Sequence, residues 1–295
     1  MRRSRLARLG LNLGNLLVIG FFLLPIVTAA IGSLQSEKTL RADTRAVLPR
    51  EWTLDNFRVF LSGGAQNAGS IYEQATYLPD NVKKISYALA NSAVIAGSVT
   101  LLTLVFAALS AYAVVRLRLR WLAWLMELSV LARFVPIIVL MIPLYVTFRS
   151  LGLLNSVWGV IIAETGFLLP YGIVILAPYF AALPQELDEA ARIDGCTRFT
   201  AFVRITLPLS TPALASFSAI VFIVSWNDLL IPLILNNRAE FMTVPVVVAS
   251  LVGDVHVFFN LMMALCLVAM APSVILVLLL QKFVVQGLAA GAVKG

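Results

Sequence analysis

The chain is poor in the side chains that do chemistry. Its 295 residues include one histidine and two cysteines, and 13% of them are charged. A single histidine, His256, excludes paired-histidine zinc motifs and leaves little room for a serine–histidine nucleophile. Cys196 falls in a polar stretch and Cys266 in an apolar one, so neither a disulfide nor a thiolate metal site follows from them. No glycine is followed by lysine, so the phosphate-cradling loop G-x-x-x-x-G-K-[ST] is missing. These absences count against an intramembrane enzyme and against ATP hydrolysis by this chain.

What the chain has in quantity is apolar surface. Hydrophobic residues make up 60% of it, and the mean hydropathy is +0.94. Soluble domains are nearer half apolar and a quarter charged. Six apolar blocks, roughly 11–32, 86–113, 122–147, 157–180, 211–235 and 261–284, each reach the length that spans a bilayer as a helix. They predict an all-α membrane protein with six transmembrane helices. The short alternating segments of a membrane β-barrel dominate nowhere.

The net charge of +7 reads through the positive-inside rule. Arg2, Arg3, Arg5 and Arg8 place the N-terminus in the cytoplasm. With six spans, the 114–121 turn (Arg116, Arg118, Arg120), the 181–210 segment and the C-terminus fall inside as well. The 33–85 segment, placed outside, carries seven Lys/Arg and six Asp/Glu, which weakens the asymmetry without reversing it. The first apolar run is too long for a cleaved signal peptide ending at Thr28-Ala29-Ala30, and Arg2-Arg3 reads as a topology anchor.

Outside the membrane, Leu48–Leu61 places Leu54, Phe57 and Leu61 on one face of a short amphipathic helix, with Trp52 at headgroup depth. The Ser62–Ser70 stretch reads as a flexible excursion. The second block is rich in alanine, glycine and serine, which let helices approach closely in lipid. Pro136, Pro143, Pro170 and Pro178 fall in the third and fourth blocks or at their edges, the mark of a bundle that flexes or lines a cavity. Charges at membrane depth are costly and each demands a reason. Arg133, Glu164, Asn227 and Asp228 are such groups, the last two following Trp226. One reading is a structural ion pair of Arg133 with either acid. The other is a polar wall in which Glu164, Trp226, Asn227 and Asp228 replace the hydration of a polyhydroxyl solute.

The longest charged and periodic run in the second half is Glu186–Pro208, ELDEAARIDGCTRFTAFVRITLP. Pro184 precedes a helix with Glu186, Asp188 and Glu189 in its first turns. Leu187, Ala190 and Ala191 share a small apolar face. Gly195 ends that helix, Thr197 caps a second one carrying Phe199, Phe202 and Val203, and Pro208 closes it. Helices this short are marginal alone, so the hairpin packs either on its own bundle or on a cytoplasmic partner.

The spacing of Glu189-Ala190-Ala191, Gly195, Ile205 and Leu207-Pro208 matches EAA---G---------I-LP, and the chain resembles the permease subunits of ABC importers. LPREWTLDNF (Leu48–Phe57), LGLLNS (Leu151–Ser156), WNDLLIPLIL (Trp226–Leu235) and GLAAGAVKG (Gly287–Gly295) are similar to the binding-protein-dependent carbohydrate importers, most of all to the smaller permease of the maltose type. The resemblance implies a type I importer (MetI-like) fold, one permease domain over residues 1–295, and a location in the inner membrane. It implies four kinds of partner: the bilayer, a second related permease, a dimer of ATPase subunits and an external solute-binding protein. In such importers the EAA helix docks on the ATPase, which gives Glu189 that contact, and the C-terminal tail gives Lys294 another. ATP and Mg are then used by the partner ATPase and no cofactor is bound here. Other solutes on this architecture are a polyol, glycerol phosphate or a peptide. A self-contained secondary transporter requires inverted repeats, and none is visible.

Overall fold

The computed structural model describes residues 5–36, 51–61, 85–131, 134–252 and 258–292; for 5–9, 60–61, 120 and 283–292 only the backbone is described. The expectations for Arg133, His256, Lys294, the Ser62–Ser70 stretch and the start of the Leu48–Leu61 helix lie outside these residues. All elements among the described residues are helical, and they fall into two compact units, Met1–Ser86 with Val247–Ala271 and Tyr87–Val246 with Pro272–Gly295.

In the first unit α1 (Arg5–Ser33) is followed by a short α2 (Asp55–Leu61). Residues 51–54 are not helical, so the amphipathic helix begins at Asp55, whose N–H is taken by the Thr53 hydroxyl at 3.2 Å. Asn56 docks α2 on the end of α1: its buried Nδ2 donates to the carbonyls of Ser33 at 2.7 Å and Gln35 at 2.9 Å. These are carbonyls at and beyond the helix end, which need outside partners. Asn260 adds a bond of 2.6 Å to Gln35 O.

The second unit is built on α3 (Ile85–Arg116), α6 (Val157–Ala182) and α9 (Thr211–Trp226). Ala96, Ala107, Ala108 and Ala111 of α3 are buried, as the small-residue composition predicts. Gly172 marks the closest approach: a Cβ there would lie 2.4 Å from Ala107 Cβ and 2.6 Å from Phe217 Cζ. The start of α6 is set by Ser156, extended at φ −141° and accepting the N–H of Trp158. Its end is set by Pro184, which forces Leu183 into an extended conformation.

All six apolar blocks are helical, but two are interrupted. Four helices are long and apolar enough to cross a membrane unbroken: α1, α3, α6 and the Phe259–Lys282 part of α12 (Phe259–Ala292). The third block is split into α4 (Arg120–Leu131) and α5 (Ile137–Ser150), with Pro136 at the start of α5. The fifth is split into α9 and α10 (Leu230–Leu235), where Asp228 Oδ1 accepts the N–H of Leu230 and starts a new helix. Apolar length alone does not reveal such breaks.

One end of this unit is knitted by side chains that bond to backbone. Asn155 takes a left-handed φ of +52°, which asparagine tolerates. Its Oδ1 accepts the N–H groups of Asn237 at 2.9 Å and Arg238 at 3.0 Å. Asn236 accepts from Ser156 N and donates to Phe241 O. Asn91 on α3 donates to the carbonyls of Glu240 and Met242.

Candidate functional site

Two places in the second unit concentrate the residues singled out by the sequence. The first is the hairpin of α7 (Glu186–Ile193) and α8 (Arg198–Leu209), which meets α9 at a bend of 79°. Gly195 stands at φ +81°. Its N–H bonds to Arg192 O at 3.1 Å, and Cys196 N–H reaches back to Ala191 O at 2.9 Å. These two bonds form a Schellman cap, which needs a left-handed residue where the signature has its glycine. Thr197 then caps α8 by accepting the N–H of Thr200 at 3.1 Å. Inside α8 the Phe202–Thr206 turn is π-helical. It precedes Pro208, which supplies no N–H to the ladder.

The hairpin has two unlike faces. Ala191, Ala201, Phe202 and Thr206 are buried against the bundle, whereas Ile193 is 87% exposed and Phe199 65% exposed. Glu189, Ala190, Gly195 and Pro208 are also exposed, and Ile205 and Leu207 are half-buried. The first packing alternative left open by the sequence, seating on its own bundle, is thus visible on one side of the element. One face is seated on this chain and the other is unoccupied by it.

The seated face is held by groups that local sequence reasoning missed. Arg116, at the end of α3, pairs with Asp188 at 3.1 Å; their side chains are 7% and 20% exposed. Arg116 also donates to Leu183 O at 2.8 Å, and the Tyr112 hydroxyl donates to Arg198 O at 3.2 Å. The Phe202 ring lies 4.7 Å from that of Tyr112 and 6.4 Å from that of Phe180. From the sequence Arg116 reads as a topology charge and Asp188 as a helix-end charge. Their separation by 72 residues gives no local sign of contact.

The second place is a cavity of about 550 Å³ beside the two broken spans. Glu164, Ser225 and Asp228 line it together with Ser129, Pro136 and Tyr171. Glu164 is 2% exposed. Its Oε2 accepts a hydrogen bond from the Ser225 hydroxyl, and its Oε1 has no partner among the described residues. Trp226 and Asn227 are not part of this lining. Trp226 is buried with its ring stacked on Phe222, and Asn227 is exposed and donates to Ile223 O one turn back. Ser225, by contrast, carried no signal as one serine among many. The described residues hold no cluster of three His, Cys, Asp or Glu side chains suited to a metal ion, and Cys196 and Cys266 are both free.

Residues 103–290 match the family model described as binding-protein-dependent transport system inner membrane component. The trehalose/maltose transport system permease protein of Thermococcus litoralis is 33% identical over 298 residues, covering 100% of both chains. The trehalose transport system permease protein of Mycobacterium tuberculosis is 32% identical over 281 residues, 95% of each chain. Among solved structures, a bacterial ABC transporter involved in the import of the acidic polysaccharide alginate superposes with a TM-score of 0.74 at 21% identity. That match covers 96% of this chain and 99% of the other, and it shows a shared fold.

Proposed function

The chain belongs to the family of inner membrane components of binding-protein-dependent transport systems, and on that premise we propose that it forms half of the translocation pathway of an ATP-driven importer of a sugar or oligosaccharide. The observation that carries this reading is the hairpin. A membrane chain that seats one face of an eight-residue helix and leaves Glu189, Ile193 and Phe199 outward has built a surface for another subunit. An ATPase is the partner that such a surface serves in this reading, with Glu189 meeting basic groups and Ala190 and Gly195 permitting close approach. Ala191, Ile205, Leu207 and Pro208 shape the hairpin behind that surface.

The chain is then non-catalytic and binds no cofactor. ATP and Mg are used by a pair of ATPase subunits, a second related permease completes the pathway, and an external binding protein delivers the solute. Both termini and the hairpin lie in the cytoplasm, the 33–85 segment lies outside, and Lys294 makes a further contact to the ATPase. Closing of the ATPase pair on ATP moves the hairpin as a lever, and the two permeases shift from inward-open to outward-open. The sugar class is supported by the trehalose and trehalose/maltose permeases to which the chain is similar over 95% and 100% of its length.

The test is uptake of radiolabelled trehalose and maltose by proteoliposomes holding the assembled importer and its binding protein. ATP-dependent accumulation is expected, with Glu189→Lys abolishing it while the protein still inserts. Uptake by this chain alone, driven by an ion gradient without ATPase, would replace the reading with a secondary transporter.

A further inference from the structure

We propose that the seam where α3 meets the α7–α8 hairpin is a seat for an anionic phospholipid, its phosphate held by arginines and an acyl chain laid in an apolar groove beside them. Two neighbouring hollows carry the inference. The first, of about 170 Å³, is lined by Arg116, Arg118, Arg192 and Arg198 together with Asp188 and Glu189. Asp188 is taken by Arg116 at 3.1 Å, whereas Arg118, Arg192 and Arg198 make no ion pair among the described residues. Arginines gathered at one cleft repel one another and focus a positive potential, which an anion relieves. Arg118 stands at φ +52°, a left-handed conformation disfavoured for its side chain, and the turn it makes leaves it on this cleft. The second hollow, of about 310 Å³, has only apolar side chains around it. Its floor is Ala108 and Phe202, both buried, and its rims are Val105 and Leu109 on α3 and Phe199 and Val203 on α8, all exposed.

The two hollows adjoin. Tyr112 lines the first and Phe202 the second, and their rings are 4.7 Å apart. Val105, Leu109, Tyr112 and Arg116 recur at steps of three and four, so one face of α3 runs from groove to cleft. At a rise of 1.5 Å per residue, Leu109 and Arg116 lie about 10 Å apart along it. α3 is long and apolar enough to cross a membrane, and Arg116 is its last residue. The groove therefore faces acyl chains and the cleft faces headgroups. Arginine grips phosphate oxygens through a fork of N–H donors. Basic pockets at the cytoplasmic ends of membrane helices take anionic headgroups, and the topology proposed above puts this end there. A zwitterionic lipid would bring the arginines no net charge, and a soluble phosphate would leave the groove empty.

The experiment uses the assembled importer in phosphatidylcholine nanodiscs. Phosphatidylglycerol or phosphatidylcholine, each carrying the same diazirine-labelled acyl chain, is added at equal and low mole fraction. After illumination the labelled peptides of this chain are mapped by mass spectrometry. The phosphatidylglycerol probe is expected to label Leu104–Leu109 and Phe199–Val203 roughly tenfold or more above the phosphatidylcholine probe, since each arginine near an anionic headgroup is worth about fivefold. Unlabelled phosphatidylglycerol should displace it, and glycerol 3-phosphate should not. Arg118→Gln with Arg198→Gln should cut the labelling roughly twentyfold on the same scale. Val105→Trp, which fills the groove and keeps the arginines, should cut it as well. The two-lipid comparison on the unmodified chain decides the matter if either variant fails to assemble. Equal labelling by the two lipids, or labelling unchanged by the arginine substitutions, would overturn the proposal. So would displacement by glycerol 3-phosphate, which reduces the seat to a free-phosphate site, or no labelling of these segments, which gives the seam to a partner subunit.

Discussion

At the hairpin the inward groups of Arg116 and Tyr112 meet partners: Arg116 pairs with Asp188 and donates to Leu183 O, and the Tyr112 hydroxyl donates to Arg198 O. At the cavity Glu164 has one oxygen bonded to Ser225 and the other to nothing described. Both regions hang on α6 and α9, whose packing at Gly172 and Phe217 leaves no room for a methyl group. In the proposed importer the contrast follows from what each region would do. A hairpin acting as the proposed lever must keep its shape while its outer face is pushed, which the Arg116–Asp188 pair serves. A solute path would offer bonding capacity to a transient occupant, which Glu164 Oε1, without a partner among the described residues, supplies.

Breaking the lever has the largest expected effect. Arg116→Ala strands a partly buried carboxylate, and loss of one member of such a pair costs about 3 kcal/mol, the low end because Asp188 keeps some water. ATPase activity should persist while uptake per ATP falls at least tenfold. Asp188→Ala in the same background should add less than it does alone, the signature of a coupled pair. Additive losses would mean that the two side chains act separately.

Next comes the floor shared by both regions. Gly172→Ala places a carbon within 2.4–2.6 Å of Ala107 and Phe217. Overpacking of this kind costs about 1–3 kcal/mol, which should lower the melting temperature of the detergent-solubilised protein. An unchanged melting curve would show that the three helices are not in close contact.

Smaller effects separate the two hairpin ends. Gly195→Ala puts a side chain in the left-handed region at a cost of roughly 1–2 kcal/mol. Thr197→Ala removes the cap of α8 for about 1 kcal/mol. Hydrogen exchange should speed up in Glu186–Leu209 in that order and stay the same around Glu164. The smallest effect is expected from Asn227→Ala, because that side chain bonds only to Ile223 O among the contacts described and is absent from the cavity lining. Uptake should stay within about twofold, whereas a loss of solute affinity would return Asn227 to the path.

The membrane helices are legible in the sequence because twenty apolar residues have few other uses. The hairpin is legible because charge, period and Gly195 occur together within 23 residues. The two breaks are less so, since Pro136 and Asp228 interrupt spans whose average hydropathy hides them. Least legible are pairings across the chain. Ser225 with Glu164 and Asn155 with Asn237 join segments that are 61 and 82 residues apart, and no local pattern marks them. Trp226 and Asn227 read as companions of Asp228 because they are its neighbours in sequence. The turn at 227–229 sends only the aspartate to the cavity.

In the proposed importer the hairpin passes the energy of ATP to the solute path. The most direct measurement of this coupling compares uptake and ATP hydrolysis in proteoliposomes of the assembled importer, wild type against Glu189→Lys. ATP-driven sugar accumulation is expected in the first, and neither uptake nor solute-stimulated hydrolysis in the second at equal membrane insertion. Full uptake by the Glu189→Lys importer would contradict this coupling.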